Sequence, residues 1–257
     1  MKPGQTLWTK DQLLLAINLY SKIRFGQMHA SNKDVQELAA IIDRSPSAVA
    51  RKLGNFASFD PKLQARGVKG LENVSKLDRQ VWQEYTNNWD ELFIESETLL
   101  AQKKNTTIEQ LNPIEPSEPE NTFGREAIRQ VVVRLDQTAF RKMVLSNFDD
   151  KCCITGINQT ELLIASHILP WSMDAGNRLN PRNGLALNTL HDKAFDRGLI
   201  TVTEDLKIKV SSVLLNSSDI QSIKENFIAY DGKSLIEPKK FFPDVTFLRI
   251  HNDRFKP

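Results

Sequence analysis

The stretch "QLNPIEPSEPENTFG" sets the strongest limit on what this chain can fold into. Pro113, Pro116 and Pro119 stand among Glu115, Glu118 and Glu120. Proline removes backbone donors and the glutamates repel one another, so such a segment favours an extended, solvated chain and cannot build a core. It divides the 257 residues into two folded parts. The expected domains are a helical one at 1–105, an acidic proline linker at 106–125, and a second domain at 126–257.

Hydrophobic residues make up 40% and charged residues 26% of the chain, enough to bury a core in each part. No run of eighteen apolar residues occurs, and "MKPGQTLWTKDQ" has no apolar signal region. These features imply no membrane span, and a cytoplasmic location is expected. The net charge of +2 does not by itself point to nucleic acid, but its distribution is uneven. Between Arg44 and Arg79 stand eight basic residues against three acidic ones. Two adjacent cysteines, Cys152 and Cys153, cannot make a disulfide framework or a four-ligand zinc knuckle.

In the first part, Thr9 and Gln12 have the spacing of a capping box, followed by Leu13, Ile17 and Tyr20 at helical steps. A second helix is expected from Ser31, with Val35, Leu38, Ala39 and Ile42 as its inner stripe. Ser45 and Pro46 suit the N-cap and first position of a third helix. On that helix Val49, Leu53 and Phe56 share one face. Ser47, Arg51 and Asn55 then point outward with Lys52 beside them, side chains able to read base edges or hold phosphates. The segment "LWTKDQLLLAINLY…IIDRSPSAVARKLGNF" resembles helix-turn-helix domains of the Myb-like kind, which implies that the third helix enters a DNA groove. Farther on, Val81, Trp82, Tyr85, Trp89, Leu92 and Phe93 predict one helix over 77–100 whose aromatics are core.

The second part holds the candidate chemistry. A β-branched run and a helix around 140–148 lead to a turn at Thr155-Gly156. His167 follows the apolar run of "ELLIASHILPW". Alone, a histidine beside apolar neighbours is more often a core residue than a base. Downstream, Asn183-Gly184 reads as a turn into a short strand, and "NTLHDKAFDRG" as a brief helix ended by Gly198. Asp192 and Asp196, four apart, share a face of that helix and can touch one cation. The tail reads as paired strands in "LITVTEDLKIKVSSV" and a last apolar segment, "FFPDVTFLRI".

Taken in order, "ASHILPW", "NPRNGLAL" and "HDKAFDRGLI" resemble the HNH endonuclease family, over about Leu135 to Ser212. The resemblance implies an α+β chain: a helical helix-turn-helix-like domain and a C-terminal ββα-metal nuclease domain. It implies His167 as general base, Asn183 as the residue holding its loop, and Asp192 and Asp196 as metal ligands. Ser166 stands where many members have an acid or histidine, and His191 precedes the matched ligand position by one residue, so both are further ligand candidates. Thr155 stands where a zinc knuckle would need a second cysteine, so Cys152 and Cys153 are expected to be buried thiols. Two carboxylates without a thiolate favour one magnesium or manganese ion. A ligating His191 would favour zinc or nickel. Arg178, Arg182, Lys193 and Arg197 are candidate phosphate contacts, and Trp171 is expected to pack the loop. The expected activity is metal-dependent DNA cleavage in restriction or phage defence, with dimerisation as one route to a double-strand cut. The rival is a DNA-binding regulator with a degenerate nuclease fold.

Overall fold

Thr9 and Gln12 close the capping box that their spacing predicts: the Thr9 hydroxyl accepts from the Gln12 N–H, and the Gln12 side chain accepts from the Thr9 N–H. This starts α1 (Lys10–Lys22) in a computed structural model that describes residues 6–70, 74–111, 137–170 and 173–255. The chain falls into two compact units, the first ending at Phe140 and the second starting at Arg141.

The first unit is helical. Asn32 caps α2 (Lys33–Ile41). Ser45 caps α3 (Pro46–Ala57), with Pro46 in its first turn. After α4 (Pro61–Ala65), the helix expected over 77–100 is two helices, α5 (Lys76–Asn87) and α6 (Trp89–Lys103). Asn88 breaks it at φ −137 and ψ 59, and Asp90 and Glu91 then occupy the first turn of α6, where carboxylates suit the helix dipole. The break allows both helices to pack on α1. Tyr20, Phe56 and Trp82 meet at the centre, with centroids 5.9 to 6.3 Å apart. Trp82, Tyr85 and Trp89 are all buried, which leaves no aromatic face on these helices for a partner.

Two side chains expected on the DNA-reading face of α3 are not there. Lys52 is buried, its Nζ 2.8 Å from both carboxylate oxygens of Asp78 and 4.8 Å from the Trp8 ring. Asn55 is buried as well. The stripe Val49, Leu53, Phe56 correctly marks the inner face, but α5 covers the flank beside it. Ser47 and Arg51 stay exposed.

The expected linker lies mostly outside the described residues. Its described beginning includes one helical turn, α7 (Ile108–Leu111).

The second unit mixes helices and short strands, so the chain is α+β. A helix, α8 (137–147), precedes β1 (Leu163–His167), which pairs antiparallel with β2 (Gly184–Asn188). The register sets Ser166 opposite Leu185 and His167 opposite Gly184. Every residue of β2 is buried. Asn188 caps α9 (Thr189–Asp196), which packs on both strands. Arg141 ties α8 to the entry of β1 through the carbonyls of Leu163 and Thr160, at 2.6 and 2.8 Å.

The expected paired strands are β3 (Ile200–Val202) and β4 (Ile208–Val210). Two short helices, α10 (Ser212–Leu215) and α11 (Gln221–Asn226), lead to α12 (Val245–Asn252), which packs on β3. No helix among the described residues is long and apolar enough to cross a membrane.

Candidate active site

β1, β2 and α9 pack together, and the candidate residues stand on these elements and on the loop that leaves β1. His167 is the last residue of β1. Its Nε2 lies 3.0 Å from the carbonyl oxygen of Arg178. A carbonyl can only accept, so Nε2 carries the proton and Nδ1 carries the lone pair. Burial pushes the imidazole down to about 4, with the Arg178 carbonyl pulling the other way. The ring is therefore neutral at pH 7, the form that can accept a proton.

Asn183 is buried and makes the loop after His167 a closed unit. Its Oδ1 accepts from the Leu169 N–H at 2.8 Å, and its Nδ2 donates to the carbonyls of Leu169 and Asn177 at 3.2 and 3.3 Å. Its own carbonyl accepts from the Ile168 N–H at 2.9 Å. Three residues after Asn180, which bonds the Arg182 N–H, the amide thus spans the loop from His167 to β2. Trp171 lies outside the described residues.

On α9, Asp192 and Asp196 are one turn apart and act on each other through charge. The Asp192 carboxyl is half-buried and raised. Burial is the main cause, Ser166 pulls it back down, and the Asp196 charge adds to the rise. Ser166 is buried, and its hydroxyl acts on the Asp192 carboxylate as a hydrogen-bond donor. Strand β1 thus turns a hydroxyl towards the helix face that carries two mutually repelling carboxylates.

This all-oxygen set fits a hard divalent ion, which takes one or two carboxylates and completes its shell with water and phosphate oxygens. It does not fit a closed zinc site. Among the described residues, no group of three His, Cys, Asp or Glu is arranged to hold a metal.

His191 is not part of this set. It is buried, its Nε2 is 2.6 Å from the Asn226 carbonyl, and its ring meets Phe227 and Tyr230 edge-on. One residue before Asp192 on a helix is about 100° of rotation, so when Asp192 faces β1, His191 turns inward. There it neighbours Cys152. Burial pushes that thiol up, but His191 and Thr155 outweigh it and leave the thiol lowered to about 7. Cys153 is raised well above its ordinary value by burial and by Cys152. Both cysteines are buried and free. The backbone of Cys153 bridges β2 to the C-terminal segment, donating to Ala186 and accepting from Ile236.

Of the candidate phosphate contacts, Lys193 and Arg197 are exposed on α9 and the turn after it, whereas Arg178 and Arg182 are half-buried in the loop. The part played by the Arg178 carbonyl has no sequence signal, because every residue carries one. His251 was also beyond reach of sequence. It is buried 56 positions from Phe195, stacked on that ring at 3.7 Å.

No curated protein matches this chain. Residues 152–203, which run from the buried cysteines through β1, the loop, β2 and α9 to β3, match the family described as HNH endonuclease. With a neutral histidine at the end of one hairpin strand and two carboxylates on the following helix, this segment of about a fifth of the chain is similar to the HNH endonuclease family.

Proposed function

We propose that the protein is a metal-dependent DNA endonuclease that hydrolyses phosphodiester bonds. The observation that carries this reading is the match of residues 152–203 to the family described as HNH endonuclease, with the Nε2–H tautomer of His167 at the end of β1 and the oxygens of Ser166 on β1 and of Asp192 and Asp196 on α9 as its candidate groups.

Hydrolysis needs a water stripped of a proton, a cradle for the crowded negative phosphorus centre, and relief of charge on the leaving oxygen. His167 takes the proton at Nδ1 while Nε2–H stays on the Arg178 carbonyl, so the ring keeps its orientation as it becomes charged. Asn183 does no proton transfer. It holds the loop whose other end supplies that carbonyl. Magnesium or manganese held by Asp192 and Asp196, with Ser166 beside them, would supply Lewis-acid stabilisation of the phosphate charge. The exposed Lys193 and Arg197 would hold adjoining phosphates, and Arg178 and Arg182 the loop-side strand.

In the helical unit, the exposed Ser47 and Arg51 remain as DNA contacts, and a helix-turn-helix role for α2 and α3 rests on them. A linker at 106–125 would tether the two domains. One such site cuts one strand, so a double-strand cut would take a dimer or two successive nicks. Products with 5′-phosphate and 3′-hydroxyl ends and a role in restriction or phage defence are what the resemblance to the HNH endonuclease family implies.

One observation favours a second reading, a DNA-binding regulator with a degenerate site: a serine stands where a stronger ligand would complete the shell. Incubating supercoiled plasmid with the full chain in magnesium, manganese or EDTA decides between them. Metal-dependent nicking that disappears in His167→Ala supports the nuclease; binding without nicking in either metal sinks it.

A further inference from the structure

The last helix lies outside the segment that matches the nuclease family, yet it is fastened to the end of α9. The His251 ring stacks on Phe195 with 5° between planes, its Nε2 lies 3.2 Å from the Phe195 carbonyl, and its Nδ1 lies 2.8 Å from Thr201 Oγ1. The chain then passes Gly198 so closely that a Cβ there would sit 2.9 Å from the Arg254 carbonyl oxygen. Gly198 has φ +66, so both its backbone and its neighbour demand glycine.

This docking brings Arg254 beside Asp196, Arg197 and Gly198, where they line an open depression of about 250 Å³. The Arg254 charge bears on His251, whose imidazole is pushed down to about 4 chiefly by burial. Lys209 of β4 sits over Phe255, the residue after Arg254, its Nζ 5.3 Å from that ring. Among the described residues, Arg197, Lys209 and Arg254 form no salt bridge, whereas Arg249 on the same tail is paired with Glu204 at 2.8 Å. Asp196 is the one carboxylate lining the depression.

We propose that Arg254, with Arg197 and Lys209, seats a DNA backbone phosphate next to the scissile linkage, so that the C-terminal tail is a working part of the nuclease site. The proposal rests on the reading of Asp196 as part of that site. A guanidinium fork can grip a phosphate with two parallel hydrogen bonds, and the two arginines that line the depression outnumber its one acid. A purely structural use is also open to Arg254, because a cation at the end of α9 offsets the negative end of the helix dipole. That use requires no DNA.

The test is binding of a fluorescent DNA duplex to the full chain in EDTA, followed by anisotropy over a series of salt concentrations. Arg254→Gln should weaken binding several-fold and reduce the slope of log K against log salt by about 0.9, the change expected when one phosphate contact is lost. Arg254→Lys should keep the slope and recover part of the affinity. Arg249→Gln, which loses only its pair with Glu204, should match the parent protein. An unchanged slope in Arg254→Gln would overturn the proposal, as would an equal drop in Arg249→Gln. Nicking by the parent is scored separately: its absence with the slope change intact removes the hydrolysis reading alone, and its presence with an unchanged slope removes the phosphate seat alone.

Discussion

The imidazole of His167 donates through Nε2 to the carbonyl oxygen of Arg178, eleven residues later, across 3.0 Å. The bond selects the tautomer, and it is made to a main-chain atom that no side-chain substitution at 178 removes. His167→Ala should lower metal-dependent nicking about 10²- to 10⁴-fold, the usual range for a general base. Arg178→Ala should retain the His167 orientation and alter DNA affinity instead. Nicking kinetics with a parallel binding titration separate the two, and a His167→Ala enzyme that cuts at the parent rate defeats the assignment.

Asn183 answers to a different measurement. Its amide satisfies the Leu169 N–H and the carbonyls of Leu169 and Asn177 in a buried loop. Asn183→Ala leaves those groups unpaired and should cost about 2–4 kcal/mol of unfolding free energy, at 1–3 kcal/mol for each stranded buried group and with partial relaxation. Urea unfolding reads this directly. A loss under half a kcal/mol would mean that the loop holds itself.

In the helical unit, the Lys52–Asp78 pair predicts an asymmetry. Breaking a buried pair from one side leaves an uncompensated charge and costs about 3–5 kcal/mol, while replacing both partners with apolar residues costs far less. Asp78→Ala should therefore destabilise strongly, and Lys52→Met with Asp78→Leu should recover most of the loss. Equal damage in the single and double variants would contradict the buried geometry.

His251 links stability to pH. Its folded value is about 4, against an ordinary 6.5, so the folded protein keeps it neutral while the unfolded chain takes up a proton below 6.5. Its contribution is complete above pH 6.5 and is lost as pH falls from there towards 4, by at most about 3 kcal/mol. His167 is lowered in the same direction. Between pH 4.5 and 6, unfolding of the parent should take up about two protons from these groups, and His251→Gln about one. Urea midpoints measured across that range give the slope; an unchanged slope would place the His251 ring in water.

Much of this architecture was legible in the chain. Thr9 with Gln12 and Ser45 with Pro46 mark helix starts because a cap acts within one turn. The spacing of Asp192 and Asp196 places them on one face for the same local reason, and Gly198 ends the helix at φ +66. Periodicity also overreached: it joined α5 to α6, because the apolar phase continues through Asn88 even though the backbone does not.

What the sequence by itself determined is therefore most of the helix starts, the helical phase of the inner faces, and the resemblance of residues 152–203 to the HNH endonuclease family. Tertiary structure alone decided which of those faces are covered. Asp78 and Trp8 take Lys52 from solvent, Phe227 and Tyr230 enclose His191, the Arg178 carbonyl selects the His167 tautomer, and His251 brings Arg254 to Asp196. The physical reason is range. Caps and helical phase act over a few bonds and are written in neighbouring residues, whereas burial and pairing depend on segments tens of residues away, and a backbone carbonyl has no residue identity to read.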